Sequence, residues 1–428
     1  MSWITAPLNA VTKAIGGGTP SKANDAYWNG HIPWVSPKDM TDREIHGAVD
    51  HITMEAVSSS ATQLVPSGAV LVVVRSGILV RRLPIAITSV PVALNQDMKA
   101  FLCKNQVLPD FLAYFLASKE AQILQNFVKK GATVHSISMD RFGSLPVPIP
   151  AKKEQSRIVE LLDKADRLRR LRREADAKAA RILPALFLKM FGDPATNPMG
   201  WRMKPLGDLA DQRPEYGANA SACPREKGMP RYVRITDIRD SGTLSDKDIV
   251  SLDSTGWQRY LLDEGDILFA RSGNTVGKTY IYRPTDGPCA FAGYLIRFKF
   301  RSGSIDPWFV FGLTRTAYFR GWVQSHKRVA GQPNINGQEY SSLLIPEPPE
   351  LFQKQYGKLA KSVESLLVKA DAAADQLETT FATLLQQAFS GQLTAKWREA
   401  HMRELLAEMA LQARGLNLRL PKELEALS

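Results

Sequence analysis

Arg75 and Arg271 each close a short apolar run and open the same tripeptide, Arg-Ser-Gly. Lys129-Lys130 and Lys327-Arg328 are each followed, after a short turn, by a polar–Ile–polar triplet, Ser136-Ile137-Ser138 and Asn334-Ile335-Asn336. Lysine and arginine donate to phosphate oxygens, arginine also forks onto the O6 and N7 acceptors of guanine, and asparagine and glutamine pair with adenine. One such side chain is usually a solvated surface charge. Recurrence at matching places in two halves of the chain gives these residues their weight. The candidate nucleic-acid contacts are Arg75, Arg81, Arg82, Lys129, Lys130 and Ser136 in the first half. Arg271, Lys278, Lys327, Arg328, Gln332, Asn334 and Asn336 are their counterparts and neighbours in the second.

Other stretches imitate catalytic motifs and fail on spacing. Gly273-Asn274-Thr275-Val276-Gly277-Lys278-Thr279 has the residue types of a phosphate-binding loop, but with three residues between the glycines where that loop has four. The following Tyr280-Ile281-Tyr282 is a strand pattern, whereas the phosphate cradle needs a helix N-terminus. Asp306-Pro307-Trp308-Phe309 resembles the Asp-Pro-Pro-aromatic loop of amino-methyltransferases without its second proline, and proline before an apolar run is a helix start. No glycine-rich loop for S-adenosylmethionine accompanies it. The histidines (His31, His46, His51, His135, His326, His401) form no metal or general-base pattern. Cys103, Cys223 and Cys289 have neither disulfide nor zinc spacing and fit a reducing cytoplasm. The expectation is a chain without catalytic residues, bound metal or cofactor of its own.

Bulk properties agree. A length of 428 residues allows two or three domains with cores of their own. The net charge of +12 suits a polyanion, though alone it is weak evidence. Apolar runs such as Ala69–Val74 fall far short of the roughly 20 residues needed to span a bilayer, and Met1–Thr5 lacks the pattern of a secretory signal. No membrane partner is expected.

The elements that must position the donors are written twice, about 198 residues apart. Trp3, Pro7 and Leu8 return as Trp201, Pro205 and Leu206; Ile137 returns as Ile335 and Phe142 as Tyr340. Ser144–Pro150 returns as Ser342–Pro348, Gln155 as Gln353 and Phe191 as Phe389. So long a period is a whole domain with its connector. Each copy begins with short β-like runs and one helix-like stretch, over 109–126 and 307–325. After Pro150 and Pro348 the pattern becomes a heptad helix. Ile158, Ala165, Ala179 and Leu186 form one seam, and Leu161, Leu168, Ala175 and Ile182 the other, with Arg172 intruding. The second copy repeats this as Tyr356, Val363, Ala370, Leu377 and Leu384, with Leu359, Leu366, Ala373 and Thr380. Pro184 is expected to kink or fray the first helix. Thr394–Arg414 reads as a final amphipathic helix with Gly415 at its cap.

The ordered set of these features resembles the specificity subunit of type I restriction–modification enzymes. The entry segments at Trp3 and Trp201, the run Gly265–Gly273, the proline-rich exits before each helix and the ending Ala388–Thr394 carry the likeness. The first copy departs from it at Ile78–Arg82, where the Gly-Lys pair of the second copy is missing. The resemblance implies an α+β fold with two target-recognition domains in pseudo-two-fold symmetry, joined by two long antiparallel coiled-coil helices. The expected segments are a target-recognition domain over 1–150, a long helix over 151–194, a second such domain over 199–349, a second helix over 350–393 and a helical tail over 394–428. The implied function is non-catalytic reading of a bipartite, asymmetric site in double-stranded DNA, with the paired helices as spacer. The implied partners are two modification (methyltransferase) subunits that carry S-adenosylmethionine, and two restriction subunits that use ATP and Mg. A coiled-coil scaffold without DNA reading is the alternative, and it leaves the duplicated basic loops unexplained.

Overall fold

The computed structural model describes residues 3–129, 131, 134–300, 303, 305–327 and 333–418. Its compact units do not divide at Pro150 and Pro348. One unit takes Met1–Arg169 together with Gln376–Ser428, and the other takes Arg170–Asp375. Each long helix therefore contributes its beginning to one unit and its end to the other.

The repeat is visible strand by strand. In the first unit Ile4–Pro7 pairs antiparallel with Pro146–Ile149; in the second, Arg202–Pro205 pairs in the same way with Leu344–Glu347. At the centre of the first unit Val70–Val73 lies between Met98–Cys103 and Ile85–Thr88, in a five-stranded sheet. At the centre of the second, Ile267–Ala270 lies between Leu295–Phe298 and Thr279–Ile281, in a four-stranded sheet. All four residues of each central strand are buried, so they read as continuous apolar runs rather than an alternation. The helix-like stretch of each copy is broken in two: Pro109–Ser118 and Glu120–Asn126, then Pro307–Leu313 and Ala317–His326. In the second copy Thr316 starts the new helix by accepting the Phe319 N–H on its side chain.

The cores are built alike from different parts of the chain. In the second unit Phe191, ending the first long helix, packs on Phe309 at 4.8 Å and Tyr356 at 5.5 Å. In the first unit Phe389, ending the second long helix, packs on Phe111 at 5.3 Å and Phe115 at 5.5 Å. Volumes trade within this plan. Tyr356 enters because residue 312 is glycine, where a Cβ would lie 2.1 Å from its hydroxyl oxygen. The counterparts one repeat earlier are Tyr114 and Ile158, so large and small have changed places.

The first long helix runs over Lys152–Ala179 and Ile182–Phe191, and the second over Glu350–Phe389. Within the first unit they are antiparallel. Glu154 bonds to Thr394 and Arg398, while Arg169, further along, pairs with Glu378. The first helix breaks at Ala180 and Arg181, because Pro184 has no N–H for the Ala180 carbonyl and its ring displaces it.

Only one of the two expected seams is covered. Ile158 and Tyr356 are buried, but Leu168 is 55% exposed, Ile182 47%, Leu359 48% and Leu366 65%. The covered face follows Ile158, Leu162 and Asp166, and continues to Arg169. There Arg169 bonds Asp166 at 3.0 Å and Glu378 at 2.5 Å and lies 4.0 Å from the Phe381 ring centre. Arg172, the intruder, is half-buried and paired with Asp176 at 2.5 Å. A charged seam has replaced the leucine one, and the leucines face outward in both copies.

The tail is two helices, Ala395–Ala400 and Met402–Gly415. Leu405, Met409 and Ala413 are buried in the core of the first unit, while Leu411 is exposed. The left-handed residue beyond it is Asn417, with φ 54°, rather than Gly415.

A candidate nucleic-acid interface

Three residues expected from the sequence meet on one ribbon in the first unit. The short strands Arg75–Ser76, His135–Ile137 and Val128–Lys129 form a three-stranded sheet, with Ser136 opposite Lys129 on one side and Arg75 on the other. Directly opposed residues of antiparallel strands share a face, so Lys129, Ser136 and Arg75 form a row. Lys129 and Arg75 are exposed. Arg81 and Arg82 are exposed just past the turn Gly77–Val80. Lys130 lies outside the described residues, as do Arg328 and Gln332 of the second copy.

The second unit keeps the arrangement in reduced form. Ser272 bridges Asn334, and the Arg271 carbonyl accepts the Ile335 N–H at 2.9 Å. Arg271 Nε donates to Asn334 Oδ1 at 3.5 Å, so these two candidates are brought together. Lys327 follows the helix Ala317–His326. Two candidates have partners within the fold. Lys278 Nζ is held by Asp240 Oδ1 at 2.8 Å and the Ile238 carbonyl at 3.2 Å. Asn336 is the N-cap of Gly337–Ser341, its side chain accepting the Glu339 N–H at 2.9 Å.

The motif imitations resolve structurally. Gly273–Thr275 is a single turn followed by the strand Thr279–Ile281. Gly277 has φ 89°, and a Cβ there would lie 2.9 Å from a Val323 methyl. Asp306 caps its helix, accepting the N–H groups of Trp308 at 2.8 Å and Phe309 at 3.3 Å. Burial pushes the Cys103 and Cys289 thiols up to about 12, away from the depressed range of nucleophilic cysteines. Among the described residues no group of three or more His, Cys, Asp or Glu could hold a metal ion. No helix among them is long and apolar enough to cross a membrane.

Tyr216 and Asp97 were missed by the sequence. Tyr216 lies under the Arg271 guanidinium, 4.9 Å from ring centre to Cζ, and Asp97 Oδ1 lies 3.9 Å from Arg75 Nε. Neither has a like residue in the other copy, and a comparison of repeats gives weight only to what recurs.

Residues 2–178 match the family described as Type I restriction modification DNA specificity domain. Over 169 residues, 39% of this chain, the sequence is 43% identical to the type I restriction enzyme EcoR124I/EcoR124II specificity subunit of Escherichia coli. That alignment spans 41% of the relative, less than half its length. The StySPI specificity subunit of Salmonella potsdam is 24% identical over 92% of this chain and 90% of its own. The crystal structure of the S subunit of a type I restriction–modification system from M. genitalium shares the fold, with a TM-score of 0.51 at 14% identity. That likeness covers 91% of this chain and 96% of the other.

Proposed function

We propose that the chain, whose residues 2–178 match the family described as Type I restriction modification DNA specificity domain, is the non-catalytic DNA-reading subunit of a restriction–modification complex. The observation that carries this function is the row Lys129–Ser136–Arg75, with its reduced counterpart at Arg271 and Asn334. Two exposed cations flanking a hydroxyl on one face of a ribbon suit successive phosphates of a duplex. The second unit keeps only the reduced form, Arg271 on Asn334 beside the Ser272 bridge, and on this reading each unit takes one half of a bipartite site. Exchange of both Lys129 and Arg75 for alanine should weaken binding to every duplex and flatten the dependence of log K on log salt by up to about 1.8, roughly 0.9 for each lost phosphate contact. An unchanged slope would return these residues to ordinary surface charge and favour a scaffold without DNA reading.

Methylation and cleavage then belong to partner subunits: two modification subunits carrying S-adenosylmethionine, and two restriction subunits using ATP and Mg. All of them act where the DNA is, in the cytoplasm. The outward leucines support a pair of equivalent partners, since Leu168 and Leu366 are exposed one repeat apart, one in each unit. Buried apolar side chains at the centre of an interface carry much of its affinity. Leu168→Glu with Leu366→Glu should therefore abolish co-purification of the methyltransferase subunit while the chain stays folded. Retention of the partner at wild-type levels would move its seat elsewhere.

A further inference from the structure

We propose that Arg271 is a base-reading residue of the second domain, its guanidinium taking the O6 and N7 acceptors of one guanine, and that its counterpart Arg75 reads no base. The inference rests on the DNA-reading function above and deepens it.

Arg271 is held from several sides. Its N–H donates to the Tyr294 carbonyl at 3.0 Å and its carbonyl accepts the Ile335 N–H at 2.9 Å, so the main chain is pinned. The guanidinium lies over Tyr216, whose ring is itself fixed because its hydroxyl accepts the Gly337 N–H at 3.0 Å. Nε faces the Asn334 carbonyl oxygen. Of the five N–H donors of arginine, the four on the terminal nitrogens remain. No carboxylate pairs with Arg271 among the described residues, unlike Arg297, which is held by Glu215 and Asp266. A planar fork with fixed direction and spare donors matches two acceptors on one guanine edge, and a lysine would not reproduce it. Tyr294 beside it is 60% exposed, so this surface is open to a large ligand.

The first domain lacks these supports. Gly16 pairs with Lys99 as Glu215 pairs with Arg297, which puts Gly17 in the place of Tyr216. A Cβ on Gly17 would lie 1.8 Å from the Asn95 carbonyl oxygen, so no aromatic shelf fits there. Asp97 takes the place of Tyr294, since its carbonyl accepts the Arg75 N–H, and it sets a carboxylate beside the guanidinium. With no shelf to fix its plane, the Arg75 guanidinium, 60% exposed, lacks the set direction that two acceptors on one base require, whereas a phosphate accepts from many directions. Arg75 is left to the phosphates.

The test offers a randomised duplex pool to the full chain in complex with its methyltransferase partner and sequences the bound fraction. Wild type, Arg271→Ala, Arg271→Lys, Tyr216→Leu and Arg75→Ala are compared, with thermal melts to verify folding. Arg271→Ala should lower the preference for one guanine on the order of 10- to 100-fold and leave the half-site of the first domain intact. Arg271→Lys should recover little of that preference, and Tyr216→Leu should lose part of it at the same position. Arg75→Ala should weaken binding evenly without relaxing any base. Unchanged base frequencies with Arg271→Ala, or a position relaxed by Arg75→Ala, would overturn the assignment while leaving DNA reading in place. A wild type that selects no sequence would overturn both.

Discussion

Arg398→Ala is expected to cost the first unit about 3–5 kcal/mol of stability, the usual penalty for stranding a buried charged partner. Glu154 is fully buried, and its carboxylate accepts from Trp3 Nε1 at 3.1 Å, Thr394 Oγ1 at 2.6 Å and Arg398 Nε at 2.7 Å. Arg398 also donates to the Gly391 carbonyl at 2.8 Å. These bonds join the beginning of the chain, the start of the first long helix and the tail. Nearby, Glu408 from the tail accepts the Lys152 N–H at 3.0 Å, satisfying an otherwise open helix start. The matching place in the second unit lacks the acid: one repeat after Glu154 stands Phe352, 44% exposed. Hydrogen exchange should show the loss over residues 3–169 and 376–418 with the second unit unaffected. The paired change Glu154→Gln with Arg398→Met should recover much of it, because no charge is then stranded. Equal protection of the first unit in Arg398→Ala and wild type would refute the lock. A deletion of residues 397–428 removes this arginine with Leu405, Met409 and Ala413, so it reports on folding before it reports on any partner surface.

Exchanging residues 1–150 for the matching domain of a relative should replace one half of the DNA target and leave the other untouched. A half-site of several base pairs, each mismatch costing about 1–3 kcal/mol, makes the expected loss on the original site roughly 10³-fold or more. The graft folds only if it keeps apolar partners for Phe389, the role of Phe111 and Phe115 here, since that core is shared with the second long helix. Selection from random duplexes reads the result. A graft that scrambled both halves would show that specificity is not divided between the units.

The sequence showed most where one physical cause acted alone. Val70–Val73 and Ile267–Ala270 are buried on both faces, and their unbroken apolar runs marked the sheet centres. The proline exits marked where the long helices begin. It failed where tertiary pairing chose between equivalent patterns. Both heptad seams were apolar, yet Arg169, with acids at Asp166 and Glu378, took the covered face and left Leu168 outside. Of the candidate donors, Arg75 and Arg271 stood out because they recur, and the structure places them alike, beside Ser136 and Asn334. Lys278 had the same standing, and what the sequence hid is its pairing with Asp240, 38 residues away. Tyr216 was invisible because it occurs once, and a comparison of what two halves share cannot pick out a residue that differs between them.

Under the proposed function one chain reads two separate blocks of DNA sequence. The most direct test of this is a genome-wide map of methylated adenines in cells expressing this chain with its methyltransferase partner, set against the same cells without the chain. The expected result is a single motif of two short fixed blocks, unlike each other, separated by a constant number of unspecified base pairs and methylated only when this chain is present. One continuous block, a symmetric motif, or methylation that does not depend on the chain would contradict it.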